Sequence, residues 1–168
     1  MSKQILTSGL KQCVRNCDVE AFQRYATQHV DELNSETPFG NWLHYAAGKG
    51  CLPIVKLLVE SHGFDINVHG GIANSLPLEC AAANGHVSVV EYLIQQGSKI
   101  DTDLSERNPL FSAIQEGSLD IVKLLVANGI NYRQKYSSHT MNNMDAQGFA
   151  IERGESEIAT YLASLGKG

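Results

Sequence analysis

The sequence lacks the features of a secreted, membrane-spanning or nucleic-acid-binding chain. Its first residues, MSKQILTSGLKQCVRNC, contain no apolar signal segment, and no later stretch is long and apolar enough to span a bilayer. No two Lys or Arg residues are adjacent and the formal net charge is -5, so the clustered cations that displace counterions from a phosphate backbone are missing. We therefore expect neither a membrane nor a nucleic acid as partner.

Cysteines are few and carry no recognisable pattern. Cys13, Cys17, Cys51 and Cys80 form no C-x-x-C pair, and no N-x-S/T sequon is present, so a reducing cytoplasm is the expected location. Cys13 and Cys17 are four residues apart and could share a helix face and bind a metal with His29. Buried free cysteines more commonly pack as small hydrophobes, so we favour that interpretation and expect no metal or cofactor.

Motifs of catalysis are also missing. The sequence contains no G-x-S-x-G, H-E-x-x-H, G-x-x-x-x-G-K or G-x-G-x-x-G. Its carboxylates are scattered, and no pattern marks one of them as buried. We therefore expect a protein without enzymatic activity. Its content of hydrophobic residues, 43%, is typical of a globular protein.

Internal repetition is what the sequence does contain. In NWLHYAAGKGCLPIVKLLV (41–59), apolar residues at helical spacing precede and follow Gly50, which predicts two short helices joined by a glycine turn. The same arrangement recurs around Gly85, Gly117 and Gly154, at spacings of 35, 32 and 37 residues, and Cys17 occupies the matching place 33 residues before Gly50. A period near 33 residues indicates a stacked array of helix hairpins.

The repeating unit resembles an ankyrin repeat. Residues 43–47 read L-H-Y-A-A, where that family has L-H-x-A-A, and residues 63–67 read G-F-D-I-N, similar to its G-A-D-V-N. The resemblance implies an all-α solenoid of stacked helix-turn-helix units with finger loops. It also implies that His44 and His86 hydrogen-bond loop backbone between neighbouring repeats and are not catalytic bases.

The array is expected to form one domain over 1–168. Its five units are placed at 7–34, 38–67, 73–101, 105–131 and 142–168, with the more polar first and last units as caps. Two connections, 68–74 and 131–143, are longer than the family's standard finger. Long loops in compact domains are often functional, and we favour a binding role for the second one.

Binding residues are expected on the concave side, which in this family is lined by fingers and inner helices. Large aromatic and Arg side chains commonly anchor interfaces. Trp42 has an open alternative, which is packing against Pro38 and Phe39. The predicted partner-binding residues are Trp42, Tyr45, Asn74, Glu79, Arg107, Phe111, Glu116, Tyr132, Arg133, Tyr136 and Phe149.

The function implied by the resemblance is binding of another protein without catalysis. A short acidic array also looks like bacterial ankyrin proteins that act as immunity proteins, so the more specific prediction is a monomeric cytoplasmic inhibitor of a toxin or enzyme. The net charge of -5 suits a basic partner. The alternatives are a scaffold or regulatory adaptor and, from a different class, a metal-dependent protein built on Cys13, Cys17 and His29.

Overall fold

The regular elements are all helices in the part of the chain that the structure describes. A computed structural model describes residues 3–138 and 141–167, with side chains over 9–138 and 141–166. None of these helices is both long and apolar enough to cross a membrane. The helices are α1 (Lys3–Asn16), α2 (Val19–Gln28), α3 (Val30–Leu33), α4 (Trp42–Gly48), α5 (Leu52–Lys56, continued by the π-helical turn Leu57–Ser61), α6 (Pro77–Ala82), α7 (Val87–Gln95), α8 (Pro109–Gln115), α9 (Leu119–Ala127), α10 (Ala146–Arg153) and α11 (Ser156–Ser164, continued by the 3₁₀ turn Leu165–Lys167).

The helices stack in two layers. Each hairpin pairs an inner with an outer helix: α1 with α2, α4 with α5, α6 with α7, α8 with α9 and α10 with α11. Along the stack, α4, α6, α8 and α10 contact one another in order, and α2, α5, α7, α9 and α11 do the same. Each unit therefore buries its apolar face against its neighbours, and the predicted all-α solenoid is confirmed.

The turns inside the hairpins share one backbone conformation. Left-handed φ angles of 71°, 72°, 71° and 80° are found at Gly50, Gly85, Gly117 and Gly154. Glycine adopts this region without the steric cost of a Cβ atom, which explains its recurrence. Cys17 has a φ of 52° at the corresponding turn of the first hairpin, so a residue with a side chain takes the same conformation there.

The core runs continuously through the stack. Inner helices contribute small side chains, which let helices approach closely, and outer helices contribute branched ones. Fully buried examples are Ala46, Ala47, Ala81 and Ala82 in the inner layer and Ile54, Val55, Val89, Val90, Ile121 and Val122 in the outer layer.

The inner helices begin at sequence-encoded caps. Asn41 and Asn108 precede α4 and α8, and their side-chain oxygens accept backbone N–H groups of the first turn. Pro77 and Pro109 are the first residues of α6 and α8, where the N–H that proline lacks would have no helical partner.

Both predicted structural histidines join neighbouring repeats, as the resemblance implied. The Nε2 of His44 donates to the carbonyl oxygens of Val68 at 3.1 Å and Ser75 at 3.0 Å. The Nε2 of His86 lies 3.2 Å from the Gly48 oxygen. Burial lowers the pKa of His44.

One cysteine expectation is wrong. Cys17 is not free: it forms a disulfide with Cys51 in the next unit, with the two Cα atoms 5.4 Å apart. The hairpin turns that hold these two cysteines are 34 residues apart in sequence and meet only in the stack, so a search for C-x-x-C does not find the pair. Cys13 and Cys80 are free, and burial raises the pKa of both thiols, that of Cys80 to about 11. Among the described residues, no group of three His, Cys, Asp or Glu is placed to hold a metal.

Candidate partner-binding groove

Three connections that lead into inner helices form tight turns, which we call finger turns 1, 2 and 3: residues 37–40, 70–75 and 101–107. In finger turn 1, Thr37 and Gly40 exchange backbone hydrogen bonds at 2.7 and 2.9 Å. In finger turn 2, Gly70 and Ser75 do so at 2.9 and 3.1 Å. Closed backbone bonding gives each turn a defined shape at the edge of the stack.

Each finger turn presents one large apolar side chain to solvent. Phe39 is 58% exposed, Ile72 93% and Leu104 49%. Ile72 and Leu104 each lie thirteen residues before their hairpin glycine, whereas Phe39 lies eleven residues before Gly50, and we call these three side chains the row of exposed tips. Exposed apolar side chains at three successive finger turns are a candidate surface for contact with another molecule.

The first two finger turns are held against each other. The backbone N–H of Ile72 donates to the Pro38 oxygen at 3.2 Å. Gly71 has a φ of 73°, and a Cβ there would lie 2.8 Å from the backbone carbon of Phe39, so only glycine allows this approach. The backbones of finger turns 1 and 2 are therefore in direct contact.

A groove of about 600 Å³ lies between finger turns 1 and 2 and the inner helices α1, α4 and α6. Its walls combine apolar and basic side chains. Its lining includes the charged and large side chains Lys11, Arg15, Phe39, Tyr45, Lys49, Ile72, Glu79 and Glu106.

Glu79 lines this groove from the start of α6 and is 3% exposed. Its Oε2 accepts the N–H of Leu76 at 3.0 Å, whereas Oε1 has no hydrogen-bond partner among the described residues. Burial raises the pKa of this carboxyl to about 7, and Asp101 adds to the rise. The Leu76 N–H and the nearby Ser75 hydroxyl favour the charged form but do not offset burial.

The C-terminal half of the concave side is closed by its own aromatic side chains. The Phe111 ring centroid lies 5.1 Å from that of Tyr136 and 5.0 Å from that of Phe149. The Tyr136 hydroxyl donates to the Thr102 oxygen at 2.7 Å and accepts from Asn108 at 2.9 Å. Tyr136, one of the predicted partner-binding residues, is buried to 9% exposure, because its ring packs on Phe111 and its hydroxyl is hydrogen-bonded inside the chain.

Trp42 is also buried, at 0% exposure, so its side chain does not reach the surface. Its Nε1 donates to the Glu32 oxygen at 3.0 Å, and its ring meets the Tyr45 ring edge-on at 5.9 Å. Trp42 is therefore a packed side chain, as the alternative interpretation predicted, but it contacts Glu32 and Tyr45 where Pro38 and Phe39 were expected.

The remaining predicted residues divide between groove and periphery. Tyr45 lines the groove although only 6% of it is exposed, and Asn74 is exposed in finger turn 2. Arg107 is half-buried and pairs with Asp101 at 2.9 Å, and Glu116 is exposed on the inner-helix edge. Partner contact by each of these residues stays a prediction.

Tyr132 and Arg133 lie at the C-terminal end, away from the groove. Tyr132 is half-buried and its hydroxyl donates to the Leu165 oxygen at 3.4 Å. Arg133 is exposed, with its guanidinium 5.4 Å from the Tyr132 ring centroid. The structure therefore does not bring them together with Tyr45, Asn74 and Glu79.

The row of fingertip residues was missed by sequence reasoning. Phe39 was considered only as a packing partner of Trp42, and Ile72 and Leu104 were not singled out. A signal was available, because Ile72 and Leu104 each precede their hairpin glycine by thirteen residues.

The stacked hairpins with finger turns define a helical repeat solenoid. A family model described as "Ankyrin repeats (3 copies)" matches residues 10–103, 43–136 and 78–168, which together reach from the first described inner helix to the end of the chain. The chain belongs to the ankyrin-repeat family, and membership indicates a protein–protein interaction module.

Proteins of several different kinds are similar to part of this chain. Alpha-latrotoxin-Lh1a of Latrodectus hasselti is 43% identical over 72 residues, 40% of this chain and 5% of the spider protein. A putative ankyrin repeat protein of Rickettsia felis is 30% identical over 100 residues, 58% of this chain and 44% of its own length. Palmitoyltransferase AKR1 of Lachancea kluyveri is 35% identical over 81 residues, 48% of this chain and 11% of the yeast protein. The match thus spans less than half of each relative.

Proposed function

We propose that this chain binds a protein partner stoichiometrically, without catalysis, in the groove bordered by finger turns 1 and 2. The observation that carries the proposal is the row of exposed apolar tips at Phe39, Ile72 and Leu104. Three successive finger turns each expose one large apolar side chain, and contact with a partner would give these side chains a role that the core does not.

Rigidity of the groove supports tight binding. Finger turns 1 and 2 are joined by the Ile72–Pro38 hydrogen bond, and His44 holds the two carbonyl groups of Val68 and Ser75 that flank finger turn 2. A site that is ordered before binding avoids the conformational entropy cost of ordering loops, so more of the contact energy appears as affinity.

The finer form of the proposal is inhibition of a toxin or enzyme, as in the bacterial immunity proteins that the sequence resembles. A rigid groove that encloses one segment of a partner can block that partner's own site. The acidic net charge of -5 supports a basic partner overall. The second candidate is a scaffold or regulatory adaptor, which the exposed row on finger turns 1–3 supports equally because a row can engage an extended surface.

The test is a pull-down from the native cell followed by mass spectrometry. Wild type is compared with Phe39→Ala/Ile72→Ser and with the control Val30→Ala/Ile151→Ala, whose side chains are 56% and 63% exposed elsewhere. We expect one partner that wild type and control retain and the fingertip variant loses. A toxin encoded beside this chain supports inhibition, and several partners or a housekeeping enzyme support the adaptor. A partner retained equally by all three proteins places the binding site elsewhere.

Location and oligomeric state belong to the same proposal, which places a monomer in the cytoplasm. The Cys17–Cys51 disulfide argues instead for an oxidising compartment, because cytoplasmic thiols are kept reduced. Alkylation of thiols in freshly quenched cells decides between the two: four modified cysteines indicate the cytoplasm, and two indicate an oxidising environment. Light scattering of the purified chain tests the monomer.

A further inference from the structure

The groove and the rest of the chain carry opposite charge. Three cations line the groove, Lys11, Arg15 and Lys49, together with two carboxyl groups, Glu79 and Glu106. Outside the groove, the other ten Lys and Arg residues stand against sixteen Asp and Glu residues. The charged residues that line the groove therefore sum to +1, whereas those of the rest of the chain sum to -6.

The three groove cations have no carboxylate partner. Among the described residues the ion pair within 4.0 Å is Arg107–Asp101, which lies in finger turn 3. Lys11 is half-buried, and Arg15 and Lys49 are exposed. Cations that line one groove without a carboxylate in salt-bridge contact can attract an anionic group into it.

Tyr45 ties the cations to the apolar wall. Its hydroxyl accepts a hydrogen bond from Arg15 Nε at 3.2 Å, and Lys49 Nζ lies 5.8 Å from its ring centroid. On its other side, the Phe39 ring centroid is 5.9 Å away. An apolar side chain seated on Phe39 and Ile72 would thus have cations within a few residues of extended chain.

We propose that the groove recognises an acidic peptide segment of its protein partner, with an apolar side chain against Phe39 and Ile72 and carboxylates facing Lys11, Arg15 and Lys49. This inference rests on the proposed binding function and specifies the segment, whatever the charge of the whole partner. The buried Glu79 carboxyl and exposed Glu106 set the other side of the groove, so the anionic part of the segment lies toward α1 and the end of α4.

The test is selection of random dodecapeptides displayed on phage against the full chain. We expect enrichment of peptides with net negative charge and at least one Leu, Ile, Phe or Met. Enriched peptides with neutral or positive charge, or no enrichment at all, overturn the proposal. The pull-down with the fingertip variant is scored separately, so the binding function can hold while the acidic-segment inference fails.

Charge variants locate the site of the selected peptides. The triple variant K11E/R15E/K49E is expected to weaken the best peptide at least tenfold by fluorescence anisotropy in about 150 mM salt, where long-range effects are largely screened. The control R24E/K56E/K123E makes the same charge change on outer helices α2, α5 and α9 and is expected to stay within threefold of wild type. Equal losses in both variants contradict the proposal.

A neutral variant and a nucleic-acid probe complete the design. K11Q/R15Q/K49Q avoids introduced repulsion, and we expect it to fold and to weaken the peptide by an intermediate factor. If only the charge-reversed protein fails to fold, this variant decides the outcome. Oligothymidylate is titrated in parallel, and binding to wild type tighter than that of the acidic peptide would assign the cations to phosphate and overturn the inference.

Discussion

Finger turns 2 and 3 differ from the long connection before α10, although all three connections lead into an inner helix. Ile72 and Leu104 are exposed thirteen residues before their hairpin glycines, and Met141 lies thirteen residues before Gly154 but is 8% exposed. The row of exposed tips therefore ends where the C-terminal unit begins.

The number of aromatic residues in a region of a repeat array therefore does not predict whether that region exposes a binding surface. The C-terminal half holds Phe111, Tyr136 and Phe149, yet their rings pack on one another and the Tyr136 hydroxyl is satisfied inside the chain. In the N-terminal half, the Phe39 ring lies 5.9 Å from the Tyr45 ring but stays 58% exposed, and Ile72 is 93% exposed. The large side chains of the C-terminal aromatic cluster are buried, whereas those of finger turns 1 and 2 remain in contact with solvent.

Truncation of Tyr136 should give the largest stability effect. Tyr136→Ala removes a ring packed on Phe111 and leaves Asn108 and the Thr102 oxygen without their partner, so we expect a loss of about 3–5 kcal/mol in the free energy of unfolding. Tyr136→Phe, which keeps the ring, should lose about 1–2 kcal/mol. Urea denaturation measures both. A change below 1 kcal/mol for the alanine variant would show that the long loop is not part of the core.

Loss of the disulfide should rank second. Cys17→Ser opens a link that spans 34 residues, and the chain-entropy model assigns such a loop about 3–4 kcal/mol. The urea midpoint of wild type should fall to that of the variant when a reductant is added, while the variant itself should not respond. A wild-type midpoint that ignores the reductant would mean that the bond does not stabilise the N-terminal half.

Glu79 should make stability depend on pH. Its folded-state pKa is raised from 4.5 to about 7, so between these values the folded state binds more protons than the unfolded state, and stability falls as pH rises. Glu79→Gln removes this slope while keeping an oxygen for the Leu76 N–H. We expect the variant to match wild type near pH 4.5 and to exceed it by about 2–3 kcal/mol above pH 7. The same difference at both pH values would contradict a buried, raised carboxyl.

Fingertip substitutions should have the smallest stability effect and the largest binding effect. Phe39 and Ile72 are mostly exposed, so Phe39→Ala/Ile72→Ser should change the free energy of unfolding by less than about 1 kcal/mol while abolishing partner capture. Tyr136→Phe provides the opposite profile, with lower stability and unchanged capture. If Tyr136→Phe abolished partner capture and the fingertip variant did not, the binding surface would lie in the C-terminal half.

Much of the fold follows from the sequence because its signals are local. The glycine at each hairpin turn is set by a backbone conformation, and the L-H-Y-A-A stretch at 43–47 places a histidine where it can reach the next finger turn. These features act over one period and repeat, so a single sequence reveals them.

The site was harder to predict because it depends on contacts between units. Tryptophan is a residue type that often anchors interfaces, but the backbone oxygen of Glu32 gives the indole N–H of Trp42 a partner inside the chain. Cys17 and Cys51 meet only after two units stack. Whether an aromatic side chain is buried or exposed is decided by such neighbours, which residue type and spacing do not specify.

Site-specific photo-crosslinking tests the central claim most directly. Benzoylphenylalanine is placed singly at Phe39, Ile72, Val30 and Ile151, four large apolar side chains that are all at least 56% exposed. The co-purified partner is then irradiated with each protein and the adducts are compared. If the partner binds at finger turns 1 and 2, strong adducts are expected at positions 39 and 72 and none at 30 and 151. Adducts at 151 without adducts at 39 and 72 would contradict it and move the binding site to the C-terminal half.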